Sequence, residues 1–192
     1  MAPVLLCFVI ACRADPGRDV KPVTATPANV TDISEAVLPL DQVSKSQAAA
    51  VGQRIATTEI TLTYSRPVAR GRALFGALVP YEKVWMPGAD KATAISISRD
   101  IQIEGHPLPK GSYSIWTIPR PDRWTVIFSK TADAYHTEYP GEAQDALRLD
   151  VRPEPGPHVE TLTFGFPIVE GKDAVFRLEW GEVRVPLSMR VP

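Results

Sequence analysis

Apolar and polar residues alternate with a period of two along most of the chain after about Ser44, in runs bounded by Gly, Pro and Asp. The apolar members of these runs are Ile60, Leu62 and Tyr64; Ile95 and Ile97; Tyr113 and Ile115; Trp124, Val126 and Phe128; Leu147, Leu149 and Val151; Phe176, Leu178 and Trp180; and Val183, Val185, Leu187 and Met189. No helical pattern of ten residues separates them. The alternation predicts an all-β protein, an antiparallel β-sandwich of about nine short strands between Thr57 and Arg190.

Local signals refine this fold. Gly181-Glu182 between the last two runs predicts a hairpin with a type II′ turn, and Pro87-Gly88 fits a type II turn. Tyr113 follows a turn glycine, which favours a hydroxyl bond to the backbone upstream over ligand contact. Trp124 and Trp180 alternate with their strands' apolar sets and are expected in the core. Trp116 lies opposite in phase to Tyr113 and Ile115, so we expect it to be the most exposed tryptophan.

The N-terminus differs in character from the rest. Residues 4–11 form an apolar run too short for a bilayer-spanning helix, which takes about 20 residues. Val9-Ile10-Ala11-Cys12 resembles a bacterial lipobox, which predicts a signal peptide over residues 1–12 and lipidation at Cys12; the alternative is an export signal that carries no lipid. Residues 13–43 are rich in Pro, Ala and Thr and predict a flexible, disordered linker. Residues 44–192 then form the sandwich domain.

Composition limits the chemistry. The 192 residues carry 21 basic and 22 acidic side chains, a net charge of -1, which gives no support for nucleic-acid binding. Both cysteines, Cys7 and Cys12, precede the predicted domain, so no thiol site is expected in its body. His136 and Glu138 are a closely spaced pair of potential metal ligands, but a metal site needs three or four. We therefore predict no cofactor, no metal and no identifiable catalytic residue.

Six ordered segments carry a resemblance. They are Tyr64-Ser65-Arg66-Pro67, residues 71–76, residues 78–85, residues 88–93, Leu108-Pro109-Lys110-Gly111-Ser112-Tyr113 and residues 124–128. Together they closely resemble the bacterial domain-of-unknown-function family 2911, from about Ser44 to Val191. The resemblance implies an exported, often lipid-anchored, mostly β domain and no known activity. The chain departs from the family pattern after Trp85, where Met86 replaces an arginine, and at Lys91, where the family has an acid.

The segment from Val79 to Lys91 is the main candidate for function. It reads either as a packed corner, with Trp85 buried, or as a binding surface in which Arg66, Arg72, Tyr81, Trp85, Asp90 and Lys91 contact a ligand. Arg66 and Arg72 have the further alternative of bonding loop carbonyls. We expect an exported module, membrane-anchored in the periplasm or on the outer surface, that binds a small ligand, a glycan or an envelope protein without catalysis. A hydrolase acting on envelope material, with His136 and acids in a cleft, and a structural subunit are the alternatives.

Overall fold

In a computed structural model of the protein, Pro39 and residues 42–192 are described. The predicted signal peptide, Cys12 and all of the predicted linker except Pro39, Gln42 and Val43 lie outside these residues. The described residues contain no helix of the length and hydropathy that a membrane span requires.

In this described part of the chain, ten antiparallel strands form two sheets, which confirms the predicted all-β class. The first sheet has six strands in the order β1-β2-β3-β6-β7-β8 and the second has four in the order β5-β4-β10-β9. The bounds are β1 Ser46–Ile55, β2 Thr58–Pro67, β3 Ala94–Ile97, β4 Ile101–Ile103, β5 His106–Leu108, β6 Gly111–Ile118, β7 Trp124–Ser129, β8 Asp145–Val151, β9 Glu154–Glu170 and β10 Asp173–Arg190, with a short 3-10 turn over Glu142–Gln144.

The core lies between the two sheets and consists of the alternating apolar residues that predicted the strands. Ile60, Leu62, Ile95, Ile115 and Phe128 are all buried in it. Tyr113 adds the expected local bond, because its hydroxyl donates to the carbonyl of Pro109 at 2.8 Å. Trp124 and Trp180 are buried as predicted.

The predicted hairpin at Gly181-Glu182 is wrong, because β10 continues through it. Gly181 has φ 57°, and the pairing with β9 shifts register on both sides of it, so the glycine marks a β-bulge. The hairpin between β9 and β10 turns instead at Gly171-Lys172, where Gly171 has φ 59° and Glu170 pairs with Asp173. A bulge and a hairpin both shift the apolar phase by one residue, which is why the pattern alone misassigned the turn.

Two further expectations were also wrong. Trp116 is only 2% exposed, because loop residues cover the outer face of β6 and β7 and form a second apolar cluster of Met86, Ala92, Trp116 and Ile127. Gly88 does not take the positive φ that a type II turn requires at that position. Glu82 and Asp90 of the same segment do take a positive φ, each at 62°.

Candidate functional site

The connection between β2 and β3, residues 68–93, is long for a compact domain, and loops of this length without regular structure are usually functional. It is nevertheless well tied to the sheets. Trp85 exchanges two backbone hydrogen bonds with Thr117 of β6, both of 2.7 Å, and so continues the sheet beyond the end of β3. Because neighbouring residues of an extended segment point to opposite faces, Trp85 faces the core and Met86 faces the outer cluster.

Trp85 belongs to a cluster of four aromatic rings at one end of the core. Its indole stacks on Trp180 with ring centroids 6.0 Å apart and 13° between the planes. It also meets Trp124 and Phe75 edge to face at 6.1 Å and 6.0 Å. The packed-corner interpretation of Trp85 therefore matches the geometry, since the ring is half-buried and contacts the core on several sides.

Arg66 and Arg72 bond backbone carbonyls, as their structural alternative predicted. Arg66 donates from Nε to the carbonyl of Leu162 at 3.1 Å and from Nη2 to Thr163 Oγ1 at 2.9 Å. Arg72 donates to the carbonyls of Ala69 and Val68 at 2.8 Å and 2.6 Å. These bonds fasten the start of the connection to itself and to the edge of β9.

Glu160 of β9 is hydrogen-bonded both to the start of the β2–β3 connection and to Trp180 of the aromatic cluster. Its carboxylate accepts bonds from His158 and from the backbone N–H of Arg70, while its carbonyl accepts bonds from the N–H of Ala69 and from Trp180 Nε1. The hydrogen bond from His158 is the largest cause of a lowered pKa at Glu160; burial opposes it and the Arg70 N–H assists it. Glu160 is therefore held as a carboxylate that supports the corner.

Asp90 and Lys91 lie away from these arginines. They contact a second loop, residues 131–139, which lies between β7 and β8. The carbonyl of Asp90 accepts from the His136 N–H at 3.2 Å and lies 2.7 Å from His136 Nδ1. The backbone of Lys91 pairs with that of Tyr135 in an isolated antiparallel β-bridge. The imidazole of His136 thus lies against a backbone carbonyl. In residues 42–192 no group of three or more His, Cys, Asp or Glu side chains is placed to hold a metal ion.

Of the predicted site residues, Tyr81 is the one that lines an open pocket beside the cluster of four aromatic rings. This cavity, which we call the Tyr81 pocket, has a volume of about 300 Å³ and is lined by Phe75, Tyr81, Arg120, Pro121, Trp124, Pro153, Glu154, Pro155, Glu182 and Val183. Small-molecule sites usually span about 300–1,000 Å³, so it is at the lower end of that range. Lys91 lines a different cavity, beside β1 and β2.

The Tyr81 ring is held in place although its side chain is 37% exposed. It lies against Gly76, where an added Cβ would come within 2.7 Å of the ring and where φ is +85°. Leu78 and Val84 are also exposed along the same loop, at 45% and 40%.

Arg120 supplies a fixed polar group at the Tyr81 pocket. Its Nε donates to Glu82 at 2.7 Å and its Nη1 donates to Thr125 Oγ1 at 3.0 Å. Thr125 in turn donates to Asp150 at 2.7 Å. These bonds fix the plane of the guanidinium, and a guanidinium carries five N–H groups, so further donors remain for a ligand. Arg120, Glu154 and Glu182 were not predicted as site residues, because they come together only through the folding of distant segments.

The six predicted binding residues therefore fall into three places. Arg66 and Arg72 fasten the β9 edge, Tyr81 lines the pocket above the cluster that contains Trp85, and Asp90 and Lys91 hold the second loop. Binding by Tyr81 stays a prediction that the pocket geometry favours. For Arg66, Arg72 and Trp85 the visible contacts are structural.

A comparison with known protein families agrees with the resemblance drawn from the six segments. The sequence profile described as "Protein of unknown function (DUF2911)" matches residues 46–189, which is well over half of the chain. No curated protein and no solved structure matches the chain. The chain therefore belongs to the DUF2911 family of proteins of unknown function.

Proposed function

We propose that this protein is an exported, membrane-tethered binding module that holds a glycan in the Tyr81 pocket. The observation that carries the proposal is the composition of that pocket: a half-exposed tyrosine ring and three prolines beside a fixed arginine and two exposed carboxylates, Glu154 and Glu182. The apolar face of a sugar ring packs on aromatic and proline surfaces. Its hydroxyls can donate to carboxylates and accept from a guanidinium.

The pocket also suits a ligand of low charge. Arg120 is paired with Glu82, and the remaining charges at the rim are the acids Glu154 and Glu182. An anionic ligand would meet these carboxylates unfavourably, whereas a neutral polyol would use them as acceptors. This feature favours neutral glycans over phosphates or acidic peptides.

Titration calorimetry tests the binding proposal with the full chain carrying Cys12→Ser, so that a lipid does not complicate the solution. The probes are the neutral disaccharides maltose, cellobiose and diacetylchitobiose. We expect saturable binding of at least one of them, weakened about tenfold or more by Tyr81→Ala, because the variant loses the apolar ring surface that the sugar buries, at about 25 cal/mol per Å².

The matched control is Tyr135→Ala, which removes another exposed tyrosine that does not line the Tyr81 pocket. It should leave the affinity unchanged. Equal loss in both variants, or no saturable binding of any probe, would contradict the proposal.

Export and anchoring are part of the proposal and are supported by the apolar run, the lipobox-like residues before Cys12 and the low-complexity segment that follows. Cell fractionation compares the native chain with Cys12→Ser. We expect the native chain in the membrane fraction and the variant in the soluble fraction. Membrane association that survives the substitution would rule out lipidation at Cys12.

A further inference from the structure

Four strands form the edges of the two sheets, and three of them are protected against pairing with another chain. β5 has three residues and contains Pro107. β8 exposes the charged residues Arg148 and Asp150. At the edge of β9, the N–H of Phe164 bonds the hydroxyl of Tyr64, and the bonds from Arg66 and Ala69 occupy two of its carbonyls. Short length, proline, charge and side-chain cover are the usual ways in which proteins block such edges.

β1 has none of these features over most of its length. It pairs with β2 in an unbroken register of ten residue pairs, from Ser46 opposite Pro67 to Ile55 opposite Thr58, without a bulge. Between Ser46 and Gln53 it contains no charge and no proline. A long, regular and uncharged edge strand is a template for another strand.

The pairing pattern shows which residues of β1 face outward. Glu59 of β2 bonds Ser98 through both its N–H and its carbonyl, so its backbone groups point toward β3. Arg54, the partner of Glu59 on β1, therefore shares no backbone hydrogen bond with it. Because hydrogen-bonded and non-hydrogen-bonded pairs alternate in an antiparallel ladder, every second residue of β1, counted from Arg54, directs its backbone N–H and C=O away from β2. The outward set is Ser46, Ala48, Ala50, Gly52 and Arg54.

Side chains bond groups at both ends of this outward set, namely both backbone groups of Ser46 and the carbonyl of Arg54. Ser44 Oγ accepts from the N–H of Ser46 at 3.4 Å and donates to its carbonyl at 2.8 Å. Gln53 Nε2 donates to the carbonyl of Arg54 at 2.8 Å. In the part of the chain that the structure describes, the outward groups of Ala48, Ala50 and Gly52 make no hydrogen bond. Three N–H and three C=O groups thus form an open window centred on Ala50.

We propose that β1 of a second copy of this chain fills this window, antiparallel and with Ala50 on a two-fold axis. Ala50 then lies opposite Ala50 of the other copy and Ala48 lies opposite Gly52, so six main-chain hydrogen bonds form. The window is symmetric about Ala50, because its bonded ends at Ser46 and Arg54 are four residues away on either side. A two-fold axis requires this self-complementarity, whereas an unrelated strand does not.

The side chains permit the approach. Ala48, Ala50 and Gly52 are small, exposed and uncharged, and Arg54 comes opposite Ser46, so no like charges face each other. The net charge of -1 adds little long-range repulsion between copies. The pairing would join the two six-stranded sheets into one continuous sheet.

Sedimentation equilibrium of the full chain carrying Cys12→Ser tests the pairing. We expect the average mass to rise toward twice the monomer mass as concentration increases. Ala50→Lys and Ala50→Glu each place like charges face to face on the axis and should weaken the dimer about tenfold or more, since such juxtapositions are strongly unfavourable. An equimolar mixture of the two variants should restore dimers. Ser96→Lys, at an exposed position two strands inward, is the matched control and should dimerise normally.

Hydrogen exchange provides a second readout that needs no variant. The amides of Ala48, Ala50 and Gly52 should become protected as concentration rises, while that of Val51 is protected throughout by β2. A monomer at all concentrations, a mixture that fails to dimerise, or protection of these three amides in the monomer would each overturn the proposal. The last result would mean that a segment of the same chain covers the edge.

Discussion

Consecutive residues of one loop, Trp85 and Met86, enter two aromatic clusters on opposite faces of the six-stranded sheet. The inner cluster of Phe75, Trp85, Trp124 and Trp180 draws on strands of both sheets, because Trp124 lies on β7 and Trp180 on β10. The outer cluster centres on Trp116 and, among the described residues, is covered by loop segments 86–92 and 131–139. The buried tryptophans of the two clusters are equally inaccessible to solvent, but different kinds of segment cover them.

This difference determines what each cluster stabilises. Trp124 and Trp180 of the inner cluster lie on strands of different sheets and cannot be exposed without separating them, so their burial contributes to the global free energy of unfolding. The outer rings lose their cover when two loops open, which leaves the sheets intact. Equal burial of a side chain therefore does not imply an equal role in the cooperative unfolding of the domain.

The largest expected effect is that of Trp85→Ala. Removing a ring stacked on Trp180 leaves a cavity between the sheets, and such truncations cost about 3–5 kcal/mol. Urea unfolding followed by circular dichroism measures the loss. Tyr81→Ala is the control from the same loop and should cost less than about 1 kcal/mol, because its ring is partly solvent-exposed. Similar small losses in both variants would show that Trp85 is not part of the core.

Trp116→Ala should cost less, about 3 kcal/mol at most, because the covering loops can collapse into the space. Hydrogen exchange separates local from global effects. We expect faster exchange at the amides of Ala92 and His136, which bond across the two loops, and little change in β2 and β3. Trp85→Ala should instead accelerate exchange throughout the sheets. Uniform acceleration in Trp116→Ala would remove the distinction between the clusters.

The smallest effect concerns Tyr139, whose ring meets Trp116 edge to face at 5.5 Å. Burial, and then the hydrogen bond that its hydroxyl donates to Asp145, raise the pKa of Tyr139 to about 12, against a partial opposing effect of Arg148. The unfolded chain deprotonates near 10 while the folded chain stays neutral. Stability from this group is thus complete below pH 10 and is lost as pH rises from 10 to 12.

Tyr139→Phe should flatten this part of the alkaline denaturation profile and remove the last phenolate to appear in an ultraviolet titration. Tyr135→Phe is the control, since Tyr135 is 52% exposed. An unchanged profile in Tyr139→Phe would show that Tyr139 does not couple to folding in this pH range.

The period-two pattern predicted the strands whose two faces differ and failed where they do not. β2, with buried Ile60 and Leu62 against exposed Glu59 and Thr61, was assigned correctly. β7 is buried along its whole length, so the alternation could not show that its outer face is covered. β1 lay outside the predicted strands, because alternating Ala, Gly and Gln give almost no contrast between faces.

The same limit applies to the candidate site. Tyr81 and Trp85 were identified because aromatic residues in a Pro-Gly-rich segment are conspicuous. Arg120 and Glu182 carry no local signal, and they reach the Tyr81 pocket only because the fold places the β6–β7 turn beside the bulge of β10. Their part in the site could be identified only from the fold.

By itself, the sequence determined the all-β class, most of the inward-facing residues and the local bond of Tyr113, because a strand's pleat and a turn involve only neighbouring residues. The tertiary structure decided that Gly181 is a bulge, that Trp116 is buried, that three of the four sheet edges are blocked and that a pocket opens beside Tyr81. Each of these depends on segments distant in the chain, and the free energy of burying one against another is not encoded in the local pattern of either.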